Sequence, residues 1–149
     1  MKYLHFALAW LAFMLSGPEI QAQEAEDTVQ ANYTYTVISK GALPFADGDY
    51  LFSNELDYVA FWAGVLGPIA PVPGVIYDDE MALVLVRTFP DGSESLRLSR
   101  IVETKDNLYV ILKKTKARYF DEAIHHWGLI VKFKKTKKPV SILYQVIIQ

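Results

Sequence analysis

The chain contains no cysteine among its 149 residues. That excludes a disulfide framework, thiolate metal sites and covalent thiol catalysis. Stability must therefore come from burial of Leu, Ile, Val, Tyr, Phe and Trp. Histidine is nearly as scarce: beyond His5, only His125 and His126 could act as a base. The chain lacks a phosphate-cradling Gly-Lys-Ser loop, and Ser93 and Ser95 sit in DGSES, not in the Gly-x-Ser-x-Gly elbow that exposes a nucleophile. Positive charge is almost missing from the first half. Gln23 to Asp91 holds two basic residues, Lys40 and Arg87, against eleven acidic ones; Gly92 to Gln149 holds twelve basic against five acidic. Side by side in a fold the halves neutralise one another; segregated, the second half offers a cationic face to an acidic partner.

Long hydrophobic runs are absent too. Leu4 to Leu15 (LHFALAWLAFML) is apolar except for His5, which is short of the roughly 18 residues a membrane anchor needs. Lys2 precedes it, Ser16-Gly17-Pro18 breaks it, and Ile20-Gln21-Ala22 places a small residue at a cleavage position. This order reads as a secretory signal peptide over residues 1–22, so the expected location is periplasmic or extracellular. A polar leader (23–32) and one globular domain (33–149) follow. The composition, 52% hydrophobic and 13% aromatic, suits a single packed core.

Tyr33 to Lys40 (YTYTVISK) has strand character, and Tyr50-Leu51-Phe52 suits a short extended piece. Ser53 or Asn54 is placed to cap a helix with Glu55 and Asp57 in its first turn. Spacing puts Leu56, Val59, Ala60 and Ala63 on one helix face, widened by Tyr58, Phe61, Trp62 and Val65. Tyr58, Phe61 and Trp62 are expected in the core. Gly64 to Tyr77 carries three glycines and three prolines among aliphatics, so it either wraps the core or forms an apolar rim. Met81 to Phe89 is apolar on both faces, as in a central strand. Further strands are expected over Ser95 to Glu103, with a phase shift that signals a bulge, and over Leu108–Lys114, Trp127–Lys134 and Val140–Ile148. Short connections imply an antiparallel meander of about six strands with one helix packed on a face, an α+β fold.

Chemistry-bearing groups are few. Glu122 and His125 stand i, i+3, but a metal site needs more ligands than one such pair supplies. If His125 and His126 open a strand, their rings point to opposite faces. Asp78-Asp79-Glu80 suits a solvated turn better than a glycosidase pair. Lys132, Lys134, Lys135, Lys137 and Lys138, near Arg118, Tyr119, Phe120 and Trp127, mix cations with aromatics as nucleic-acid binders do. Export argues against that partner, and lysines on a strand face also blunt a sheet edge. No catalytic residue, metal or other cofactor is expected.

The order of features resembles the C-terminal domain of PrcB-like proteins, exported accessory proteins associated with a protease complex. The residues that carry it are YTVISKG at 35–41, Ser53-Asn54-Glu55-Leu56 entering a helix with Phe61-Trp62, and the Pro-rich loop. Asp79-Glu80-Met81 then leads into MALVLVRTF, followed by LRLSRIVETKDNLYVILKKT. The likeness spans Tyr33 to Tyr144. One departure is Pro90-Asp91-Gly92-Ser93-Glu94, where the family often has Pro-Thr-Gly-Gly-Tyr; any contact of that turn does not carry over. The family's Pro-Tyr-His pair is only loosely echoed by His125-His126-Trp127.

The expected function is that of a non-catalytic exported module that binds another protein, a protease or envelope enzyme. Its candidate contacts are Leu66, Ile69 and Val72 in the Pro-rich loop, Asp91 and Gly92 in the turn, and Arg118, Tyr119, Phe120, His125 and His126. Arginine and aromatic side chains suit such anchors. The alternatives are a stand-alone protease inhibitor and a small secreted hydrolase using His125 or His126.

Overall fold

The structure is a computed structural model that describes residues 31–90, 94–116 and 123–148. Residues 1–22, expected to be a signal peptide, and Asp91, Gly92, Arg118, Tyr119, Phe120 and Glu122 lie outside the described residues. Among the described residues, eight strands and one helix follow in order: β1 (Ala31–Asn32), β2 (Tyr35–Lys40), β3 (Gly48–Phe52), α1 (Glu55–Leu66), β4 (Glu80–Phe89), β5 (Glu94–Glu103), β6 (Leu108–Lys116), β7 (His125–Lys134) and β8 (Val140–Ile148).

The strands form two four-stranded sheets, not one six-stranded meander. One sheet has the order β1-β5-β6-β8 and the other β2-β7-β4-β3. Pairing is antiparallel except for β6 and β8, which run parallel. The expected meander fails because short connections between layers resemble hairpin turns in length. The chain leaves β4 for the opposite sheet, makes the β5–β6 hairpin, returns through β7, and crosses again to β8. A parallel pair needs a crossover between its members, and here β7 in the facing sheet supplies it.

The result is three layers. Met81, Leu83, Leu85 and Phe89 of β4, with Leu129, Val131 and Phe133 of β7, pack against Leu96, Ile101, Leu108, Val110 and Leu112 of the facing sheet. The opposite faces of β4 and β7, through Ala82, Val84, Val86 and Ile130, pack against Tyr58 and Trp62 of α1 and Ile76 of the following loop. Being the middle layer, β4 is buried on both sides from Met81 to Val86, which explains its unbroken apolar run. Each of these side chains except Ala82 contributes about 1.5–3 kcal/mol when fully buried. The β5 bulge falls between Leu98 and Arg100, where the alternation changes phase.

Asn54 caps α1: its Oδ1 accepts the Asp57 N–H at 2.9 Å, and its amide donates to the Asp57 carboxylate at 2.7 Å. Gly67 ends it at φ 88°, its N–H reaching the Ala63 carbonyl at 3.0 Å. The buried stripe is Tyr58 and Trp62, with Phe61 half-buried. Phe45 stacks on Phe61 at 4.2 Å and meets Trp62 edge-on at 4.6 Å. The expected stripe was therefore displaced, since Leu56 and Val59 face outward. Nothing polar follows Asp57 in this helix, so spacing alone could not say which side would be covered.

Candidate interaction surface

Beyond the acidic first turn of Glu55 and Asp57, α1 is apolar and covered on one side, so most of its outer face is apolar. Leu56 is 78% exposed, and Val59, Val65 and Leu66 are exposed as well. A helix without a polar face is normally buried, and contiguous exposed apolar surface marks an interaction site. The proline-rich loop continues this surface. Ile69 is 96% exposed, and Val75 and Tyr77 are exposed beyond it.

The loop is anchored from beneath. Val72 and Ile76 pack into the core under α1. The Tyr58 hydroxyl donates to the Pro73 carbonyl at 2.6 Å. Lys132 on β7 donates to the Val75 carbonyl at 3.3 Å and to Glu80 at 3.0 Å, and its ammonium lies 4.9 Å from the Tyr77 ring centre. Burial raises the Tyr58 pKa against a smaller opposing effect of the neighbouring Trp62 indole, so the phenol keeps its proton for Pro73. The indole N–H itself is buried and meets no acceptor at hydrogen-bonding geometry. Burial also disfavours the Glu80 carboxylate, but the Tyr77 N–H and Lys132 outweigh it and hold its pKa below the usual range. The loop thus both wraps the core and forms a rim. Of its three expected contacts, Ile69 is displayed and Val72 is packed inward, while Leu66, exposed as well, is not in the loop but is the last residue of α1.

His125 and His126 open β7 opposite Phe89 and Thr88. Both are exposed, and as neighbours on a strand they point to opposite faces. On the α1 side of the sheet, the Thr88 hydroxyl donates to Asp47 Oδ1 at 2.8 Å and stands 3.1 Å from His126 Nδ1. The Thr88 N–H donates to Asp47 Oδ2 at 2.9 Å. A carboxylate, a hydroxyl and an imidazole therefore meet, joined across 41 and 38 residues of chain, which no sequence pattern reveals. Their order differs from a nucleophile relay, in which the imidazole stands between the other two. Here the hydroxyl is in the middle and its proton is directed at Asp47. The two Thr88 bonds hold the Asp47 pKa below the ordinary carboxylate range, aided by Arg87 and His126, which makes it a weak base. The trio fastens the segment ahead of β3 to the end of β4. Among the described residues no three His, Asp or Glu side chains converge as metal ligands.

On the other side of the same sheet end, Arg87, Phe89, Leu96, Lys114, Tyr144 and Val146 line a cleft of about 360 Å³ between the sheets. Its cations are engaged. Arg87 bonds to Asp49, to the Tyr144 hydroxyl and to the Gly48 and Val86 carbonyls. Lys114 pairs with Glu94 at 2.8 Å. Burial opposes the Arg87 charge, but its bonds to Asp49 and Tyr144 outweigh that and raise its pKa. The cleft therefore offers an apolar notch with satisfied walls, not an anion site.

No family model matches this chain. Nor does any curated protein or solved structure. Among the described residues, no helix is long and apolar enough to cross a membrane.

Proposed function

We propose that the chain is an exported, non-catalytic module that binds another protein through the outer face of α1 and the proline-rich loop. The observation that carries this reading is an apolar helix covered on one side only, continued by Ile69 on a loop pinned from below. Pre-ordering matters energetically: a loop already held by Tyr58 and Lys132 loses little freedom on docking. The reading of Asp47, Thr88 and His126 as a loop fastener supports a role without bond-making chemistry. The narrower identification of the partner as an exported protease complex rests on the likeness to PrcB-like proteins in the residues quoted above.

The test is capture of partners from native envelope and culture fluid by the wild-type chain, Ile69→Lys and His126→Ala. A specific partner held by wild type and His126→Ala but released by Ile69→Lys is the expected result. Hydrolytic turnover abolished by His126→Ala would instead establish the hydrolase alternative. Dose-dependent inhibition of a captured protease would identify a stand-alone inhibitor, and association that leaves its activity intact an accessory role.

A further inference from the structure

We infer that β8 is a self-association edge, along which two copies of this chain join antiparallel into one continuous sheet. Edge strands usually carry devices against such pairing: shortness, charge, proline or bulges. Among the described residues four strands lie at sheet edges, namely β1 and β8 in one sheet and β2 and β3 in the other. β1 has two residues, β2 carries Lys40, and β3 is five residues long and carries Asp49. β8 has none of these devices. It runs nine residues (VSILYQVII) with no charge, proline or glycine, the composition that favours strand pairing.

The exposure of β8 is uneven, and that unevenness selects the occupant. Val140 and Ile142 are half-buried against the core between the sheets. Further along the same face, Tyr144 is 43%, Val146 60% and Ile148 81% exposed. A two-fold axis at Tyr144 pairs Val146 with the second copy's Ile142, and Ile148 with its Val140. It thus sets the uncovered half of one strand beside the covered half of the other, as a self-complementary interface requires. An uncharged edge also meets its own copy without like-charge repulsion. β8 spans about 30 Å, and six large apolar side chains with two backbones bury on the order of 1,000 Å², where stable pairs begin. The Arg87 bonds hold Tyr144 at the axis from behind. This surface is separate from the outer face of α1, so it stands or falls independently of the partner proposed there.

Sedimentation velocity of the protein expressed from its full sequence, from low to high micromolar concentration, should show a dimer. Val146→Lys should raise its dissociation constant at least about thirtyfold, the scale of losing a central contact, with an unchanged circular dichroism spectrum. As a second measurement, the cysteine-free chain accepts single spin labels at Gln145→Cys or Ser141→Cys. In the proposed register the 145 pair is closer than the 141 pair by roughly 10 Å. A monomer at every concentration, a dimer indifferent to Val146→Lys, or the reverse order of label distances would overturn the inference. So would a monomer whose β8 amides gain protection only beside a foreign peptide strand.

Discussion

The Arg87 guanidinium holds the Tyr144 hydroxyl with two hydrogen bonds, from Nε at 3.1 Å and from Nη2 at 2.6 Å, and so ties β4 of one sheet to β8 of the other. Its remaining donors reach Gly48 and Asp49 on β3. One side chain thereby fastens the edge strands β3 and β8 on the same side of the sandwich.

Removing either partner should loosen that side. Tyr144→Phe is expected to cost about 1 kcal/mol, and Arg87→Ala about 2–3 kcal/mol, because the charged donor serves several acceptors. The double variant should cost less than the two single losses combined, since both act on one contact. Urea unfolding of the four proteins measures the coupling, and strict additivity would show that the pair is not a unit.

Acid should release the segment before β3 ahead of the rest. The folded pKa of Asp47 lies below its ordinary value, chiefly through the Thr88 N–H and hydroxyl. A carboxyl lowered in this way stabilises the fold above its unfolded pKa of about 3.9, and that contribution is lost as pH falls through the folded value. Amide exchange across residues 41–47 should therefore rise below about pH 4. Asp47→Asn should show the faster exchange already at neutral pH and a shallower change in acid.

Gly128 on β7 is where a side chain cannot be placed. A Cβ there would press on the Leu43 side chain and the Gly41 carbonyl oxygen, while the Gly41 N–H bonds to the Gly128 carbonyl at 3.0 Å. Because one obstacle is backbone, Gly128→Ala should cost about 1–3 kcal/mol by overpacking. Gly64→Ala, which meets nothing, should be neutral or stabilising, consistent with the better helix propensity of alanine. Thermal unfolding distinguishes the two.

Features written in local pattern were legible in the sequence. The Asn54 cap, the doubly apolar β4 and the phase change in β5 each depend on residues close in the chain. Assignment of strands to two sheets was not legible, because the connections after β4 and β7 are as short as those of hairpins. The parallel pairing of β8 follows from that hidden crossover. At the surface, the exposure of Ile69 was legible from an apolar loop too rich in proline to be a strand, whereas Leu66, read as part of that loop, ends α1. The outer face of α1 was misjudged because its residues after Asp57 are uniformly apolar. Packing of Tyr58, Phe61 and Trp62 against Phe45 and β4 decides which side is covered. The Asp47–Thr88–His126 contact joins segments that only the sheet register brings together.

The most direct measurement is the affinity of a captured partner for the wild-type chain and for Leu56→Lys. Leu56 is exposed and contributes nothing to the buried stripe of α1, so the variant should fold with an unchanged melting temperature. Its affinity should fall at least about tenfold, while Arg97→Glu on the opposite sheet should bind as wild type does. Equal affinity of Leu56→Lys and wild type would rule out the outer face of α1 as the docking surface.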